Sequence, residues 1–332
     1  MYVQPYFPQP IPTMPRAKQT EKQGKQKPYV PTPLDYQILQ YVREYHFLTA
    51  WQLVKLHYSD GSLTRARVVL LRLYDEAEFL DRRALPHVGV GQPTYIYALA
   101  TKGINYLKDQ GFPSFSRYRP SELQQFKYPH LDHVLHLNDF LIAGRNITKV
   151  APDITLAAMR HDLDLKRTPA KVSYVRRLPD GDRIDERVTI VPDGWMDFRL
   201  QLANSSKKRR KCIIVELDRG SETNVGEFKK KIRAYVPYAY PGGAYEAMFG
   251  TQTVIVAFAT TAGERRLKTM LLWCEQELQE QRLEHEAPLF RFTALPQEEL
   301  DPQTGLDPKK LFLSTVWYVP YEKEPVTLLW KP

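Results

Sequence analysis

The segment from Val191 to Tyr235 constrains this chain more than any other. It holds Cys212-Ile-Ile-Val215, an apolar run ending on Glu216-Leu-Asp218, and then a helical pattern that carries Lys231 and Tyr235. A short, unbroken apolar run bounded by charge fits a strand buried in the centre of a sheet. A second run, Thr253-Val-Ile-Val-Ala-Phe258, precedes a helical pattern from about Gly263 to Leu283. Strand, helix, strand, helix implies an α/β core.

The acids in this stretch suggest a chemistry. Asp193 opens one expected strand and Glu216 ends its neighbour, so the two carboxylates can converge on one ion. Asp218, two residues further on, shares the Glu216 side if the strand persists that far. Magnesium takes hard oxygen ligands, usually one or two carboxylates with water and a substrate phosphate. Phosphodiester cleavage adds a cation beside the developing charge. On a helix wheel Lys231 falls about 60° from Phe228, beside the apolar arc of Val225, Ile232 and Tyr235, whereas Lys229 and Lys230 turn toward water. A lysine at the edge of a buried face needs a carboxylate or phosphate for its ammonium. Glu216 and Asp218 are the candidates. A structural ion-pair network would use the same three groups, and the residues alone leave both readings open.

Ahead of this core, residues 1–32 read as a flexible basic arm. The first 33 residues carry eight prolines, five basic residues and one acid, too little apolar surface to offset ordering entropy. From Pro33 the pattern turns helical through Leu34, Ile38, Leu39 and Val42. Thr49 caps a second short helix, and a third runs from Ser62 or Thr64 to about Glu78. Phe79-Leu80, Arg82-Arg83 and the β-rich Thr94–Leu99 follow. Three helices and a hairpin over residues 33–111 are the order of a winged helix-turn-helix. Its third helix sets Arg65 and Arg72 on the solvent face, with Thr64 and Arg67 flanking, where arginines reach base edges or phosphates. Arg82 and Arg83 on the wing are backbone contacts. A solvated face that serves only protein contacts is the competing reading.

Residues 112–129 read as a linker. His130, His133 and His136 then share a helix, but the first and last diverge by about 120° and no cysteine lies near. They are assigned packing or hydrogen-bonding roles rather than metal ligation. Lys207, Lys208, Arg209, Arg210 and Lys211 form a basic block expected at a hairpin tip beside a phosphate backbone, or else as a solvated loop. A net charge of +9 favours an acidic partner. Two well-separated cysteines exclude a disulfide framework and a zinc ribbon. No apolar stretch approaches the ~20 residues of a membrane span and no signal-peptide pattern opens the chain, so the expectation is cytoplasmic.

Pro192-Asp193, then Glu216-x-Asp218-Arg-Gly-Ser-Glu, then Lys231-x-x-x-Tyr235 resemble the replication-relaxation family of plasmid and conjugative-element proteins. The resemblance spans about Pro33 to Trp317. It implies an N-terminal winged helix and, over residues 130–332, a restriction-endonuclease-like PD-(D/E)xK α/β domain, making the whole α+β. Asp193 and Glu216 then match the two metal-binding acids, with Mg2+ as cofactor if the site is active. Asp218 stands where that motif keeps its lysine, and Lys231 replaces it from the helix. Lys231 and Tyr235 also resemble the Q-x-x-x-Y helix motif of recombination-type nucleases, with lysine for glutamine. The resemblance implies a protein that binds double-stranded DNA of a mobile element, with replication or conjugation proteins as further partners. An active Mg-dependent nickase and a non-catalytic scaffold at a replication or transfer origin are its alternatives.

Overall fold

The computed structural model describes residues 29–59, 61–86, 93–112, 123–178, 180–201, 208–220 and 224–329. The basic arm up to residue 28, most of the expected linker, and Lys207 lie outside them. The chain divides into two compact units, Met1–Leu131 and Asp132–Pro332.

In the first unit the apolar spacing becomes α1 (Pro33–Tyr45), β1 (Leu48–Thr49), α2 (Ala50–His57), α3 (Leu63–Asp75), β2 (Leu80–Ala84), β3 (Tyr95–Leu99) and α4 (Thr101–Asp109). Two capping boxes set the helix starts. Thr32 and Asp35 exchange side-chain and backbone hydrogen bonds at α1, and Thr49 and Gln52 do so at α2, which satisfies amides that the first turn leaves open. Helix α3 stops at Asp75, short of the expected Glu78, where φ is +56° and the helix cannot continue. β3 is the middle strand of an antiparallel sheet ordered β1-β3-β2. Ile38, Leu39, Val42, Leu53, Leu70 and Leu73 are fully buried.

The second unit runs from Asp132 within α5 (Tyr128–Arg145) through α6 (Ile147–Val150), β4 (Ile154–His161), α7 (Asp162–Leu165), β5 (Ala170–Arg177), β6 (Arg183–Ile190), β7 (Gly194–Gln201) and β8 (Lys208–Asp218). It continues with α8 (Val225–Ala239), α9 (Ala244–Phe249), β9 (Ile255–Thr260), α10 (Glu264–Gln281), β10 (Phe290–Ala294) and α11 (Pro308–Leu313). Five strands form a mixed sheet, β10-β9-β8-β7-β4. β8, β9 and β10 are parallel, and β4, β7 and β8 antiparallel. The run that reads as a buried strand is indeed central: Cys212, Ile213, Ile214 and Val215 are all inaccessible to solvent. One face packs Ile214, Val256, Phe258 and Phe292 against Phe228, Ile232 and Tyr235 of α8 and Met270, Cys274 and Leu278 of α10. On the other face Phe198, Phe140 and Phe312 meet with ring centroids 5.5–5.6 Å apart. Gly144 lets α5 lie close to β7, since a Cβ there would overlap the Met196 methyl. The fold is thus mixed α and β throughout, and no helix among the described residues is long and apolar enough to cross a membrane.

One sequence expectation is corrected here. The basic block is not a loop tip, because Lys208 to Lys211 already pair with β7, Lys208 against Gln201 and Lys211 against Phe198. β6 pairs along its length with β5, a strand the sequence reading does not contain. Helix α11 is capped by Asp307, with Pro308 in its first turn.

Candidate functional site

Asp193 lies one residue ahead of β7 and Glu216 near the end of β8. The antiparallel register, which pairs Gly194 with Val215, brings the two acids to the same end of adjacent strands. Asp193 Oδ2 accepts a 2.8 Å hydrogen bond from the Leu217 amide, which fixes the carboxylate across the strand pair. His133 of α5 places Nε2 3.3 Å from Asp193 Oδ1. Helix α8 is started by Asn224, whose side chain accepts from Gly226 and Glu227, and it delivers the other two groups. Lys231 Nζ donates to Glu216 Oε2 at 2.7 Å, and the Tyr235 hydroxyl donates to Glu216 Oε1. The sequence-predicted Asp193, Glu216, Lys231 and Tyr235 therefore come together, with His133 as a fifth member.

Burial divides this cluster. The Glu216 side chain is 4% exposed and that of Lys231 48%, so the carboxylate is sealed while the ammonium faces solvent. Burial pushes the Glu216 carboxyl up, Lys231 pulls it back, and the Asp193 charge adds to burial, leaving it above the ordinary range. For Asp193 burial also acts upward, but the hydrogen bond and charge of His133, then Lys231 and the Leu217 amide, outweigh it and hold the carboxyl low. Burial lowers His133, and Asp193 more than reverses this, so the imidazole is raised. The Tyr235 hydroxyl stands well above its ordinary value through burial and the Glu216 charge. Asp193 is held ionised, and burial pushes its neighbour Glu216 toward neutrality.

Asp218 does not join them. Its Oδ2 accepts from Thr260 Oγ1 at 2.8 Å, the Gly220 amide at 2.9 Å and Arg266 Nε at 2.9 Å, and Oδ1 accepts from Arg266 Nη2 at 2.7 Å. Although two residues from Glu216 on the same strand, it ties the ends of β8 and β9 to the start of α10. Lys229, expected in water, is 15% exposed and pairs with Glu280 at 2.6 Å.

The predicted DNA contacts sort by what already holds them. On α3, Thr64, Arg65 and Arg67 are exposed, and the Arg65 guanidinium lies 5.7 Å from the Tyr58 ring centroid. Arg72, expected beside Arg65 in solvent, instead binds the fully buried Asp35 at 2.6 Å and anchors α3 to the start of α1. Arg82 stacks between Tyr74 and Tyr95, 4.3 and 4.8 Å from their centroids. Arg83 donates to the carbonyls of Leu123 and Phe126, and burial lowers its pKa. In the strand block Lys208 and Arg209 are exposed. Arg210 pairs with buried Asp197 at 2.9 Å and reaches the carbonyls of Phe249 and Gly250. Lys211 is half-buried, and burial, then Arg291 and Arg209, push its pKa down to about 8.

Among the described residues no group of three or more His, Cys, Asp and Glu side chains is placed to hold a metal ion. A magnesium site does not require one, since two carboxylates with water and substrate phosphate suffice. Each of the four oxygens of Asp193 and Glu216 meets one protein donor, and a carboxylate oxygen carries a second lone pair. The donor set therefore fits a hard dication.

Sequence reasoning missed His133, whose signal was the histidine triplet on α5, and Arg219, which pairs with Asp132 on that helix. No curated protein and no protein of solved structure matches the chain. Residues 39–255, well over half the chain, match the replication-relaxation family and span both the α3 arginines and the Asp193–Glu216–Lys231 cluster, and the chain belongs to that family.

Proposed function

We propose that the protein binds double-stranded DNA during replication or relaxation of a mobile genetic element, through a winged helix in the first unit, with a PD-(D/E)xK-like second unit. The observation that carries this reading is the face of α3. On a scaffold ordered helix, strand, helix, helix, strand, strand, its first turns present Thr64, Arg65 and Arg67 to solvent, and the opening residues of a recognition helix are those that meet base edges. Arg72 supports this helix from behind by its bond to Asp35. Arg82, Lys208 and Arg209 remain as phosphate contacts. In fluorescence anisotropy on duplex DNA, Arg65→Ala with Arg67→Ala weakens binding at least tenfold. It also reduces the salt slope by about 0.9 for each phosphate no longer neutralised. Unchanged affinity would overturn the assignment.

A second reading, Mg2+-dependent nicking, rests on the convergence of Asp193, Glu216 and Lys231. Asp193 and Glu216 would hold the ion, which when bound supplies an activated water and charge neutralisation at the leaving oxygen. Tyr235 orients Glu216 and His133 keeps Asp193 ionised. The half-exposed Lys231 ammonium can leave Glu216 for a phosphate oxygen and stabilise charge there. This reading expects nicking of supercoiled plasmid that EDTA and Glu216→Ala both abolish. Intact plasmid after incubation with Mg2+ or Mn2+ leaves the DNA-binding reading standing alone.

A further inference from the structure

The β5–β6 hairpin serves neither the α3 face nor the acid cluster. Its inner face is well accounted for. Ala170, Val172 and Ile190 belong to the core over α8 and α10, Tyr174 and Arg176 bond Glu186, and Arg177 exchanges two backbone hydrogen bonds with the Gln281 side chain on α10. The ribbon is therefore fixed to the helices along its length. Its outer face is unclaimed.

By the pleat, residues 171, 173, 175 and 177 share that outer face with 183, 185, 187 and 189. All are exposed except Arg177, which is half-exposed, and Val175 is 56% accessible. Four of the eight are cations, Lys171, Arg177, Arg183 and Arg187, against the single acid Asp185. None of the four has a side-chain partner among the described residues. The register sets Arg177 directly opposite Arg183. Like charges facing each other across an antiparallel pair are unfavourable, so an unpaired Arg–Arg row is retained against the preference of the sheet. Of the two acids in the turn, Asp180 is occupied in accepting from the Asp182 amide.

The spacing selects the partner. Four residues separate the Arg177–Arg183 row from the row holding Arg187, which at ~3.4 Å per residue is about 14 Å. The DNA major groove is about 12 Å wide and admits a two-stranded ribbon. The middle row, Val175 opposite Asp185, then faces the groove floor. We propose that the β5–β6 hairpin is a second DNA-binding element, lying across the major groove with Arg177 and Arg183 on one phosphate strand and Arg187 on the other, where Lys171, about 7 Å further along the ribbon, joins it. This rests on the reading of the protein as DNA-binding and adds to it a site in the second unit. Duplex RNA is a poor fit, because its major groove is too deep and narrow for side chains to read.

The test uses the full chain and duplex DNA at several salt concentrations. Replacing all four cations (Lys171→Gln, Arg177→Gln, Arg183→Gln, Arg187→Gln) lowers the salt slope by about 3 to 4 and leaves the melting temperature unchanged. Should the fourfold variant fold poorly, Arg177→Gln with Arg183→Gln alone lowers the slope by about 2. A photo-crosslinking side chain in place of Val175 joins to DNA. An unchanged slope, with the Arg65 and Arg67 variant still impaired, overturns the hairpin assignment and spares the DNA-binding reading. A wild-type chain that shows no DNA affinity overturns both. Binding to duplex RNA as tight as to DNA, and equally dependent on the four cations, overturns the major-groove geometry.

Discussion

Two acid–base clusters hang from the same helix, two residues apart, and they are built to opposite ends. Arg233 donates to Glu277 at 2.7 Å, with side chains 7% and 1% exposed, and Glu186 and Tyr174 close the network from the hairpin. Lys231 meets Glu216 at the same 2.7 Å, yet nearly half of the lysine side chain stands in solvent. A pair sealed on both sides has no room for a ligand and serves to lock α8, α10 and β6 together. A pair with one sealed and one open partner leaves its cation at the surface. Bond length does not separate the two pairs, whereas asymmetry of burial does.

Three substitutions put that contrast at risk, in decreasing order of effect. Arg233→Ala strands Glu277 in the interior and costs about 3–5 kcal/mol, read by denaturant unfolding. Arg233→Met with Glu277→Leu recovers most of it if the network is only structural. Tyr235→Phe removes the hydroxyl from a buried carboxylate oxygen and costs about 1–3 kcal/mol. A smaller loss would mean that Glu216 is less sealed than its burial indicates. Lys231→Ala costs about 1 kcal/mol, because the half-exposed ammonium is screened by solvent and the buried Glu216 carboxyl, already raised, takes up a proton when the lysine is lost, while it removes nicking if nicking occurs.

The last variant also carries a pH signature. The Lys231 pair exists only while Glu216 is ionised, and Glu216 titrates above the ordinary carboxylate range. The stability difference between wild type and Lys231→Ala is therefore largest at high pH, where Glu216 is ionised, and shrinks as pH falls through that titration. The raised carboxyl has the opposite sign on its own account. Its contribution to stability is complete below the unfolded pKa and is lost as pH rises through the folded one. Unfolding curves recorded across that titration separate the two effects, and a difference that grows toward acid would contradict the assignment.

What was legible in the sequence follows from the range of the forces involved. The central strand and the acids at its end could be read because an uninterrupted apolar run with a terminal Glu216 is a local pattern. Lys231 could be read because helix periodicity places it relative to Phe228. The same arithmetic failed for Lys229, whose partner Glu280 comes from a helix fifty residues away. Arg72 failed similarly, since nothing near it in sequence announces that Asp35 is buried behind α3. Strand β5 escaped because its alternation, Ala170-Lys-Val-Ser-Tyr-Val-Arg-Arg177, interleaves cations with modest apolar residues and so imitates a loop. His133 was seen as a residue and missed as a neighbour of Asp193, sixty positions on. Pairings made by tertiary folding leave no periodic trace in either partner.

The hydrogen bond from the Leu217 amide to Asp193 reaches beyond chemistry into how such a site can age. It gives Asp193 a part in holding the start of β7 to the end of β8, so a lineage that lost cleavage would still be selected to keep this acid. Lys231 holds Glu216 from a half-exposed position, and is cheaper to replace once no phosphate needs it. Across relatives, then, the lysine is the informative position: an aspartate that persists without it records the demands of the sheet, and only the two kept together record a reaction.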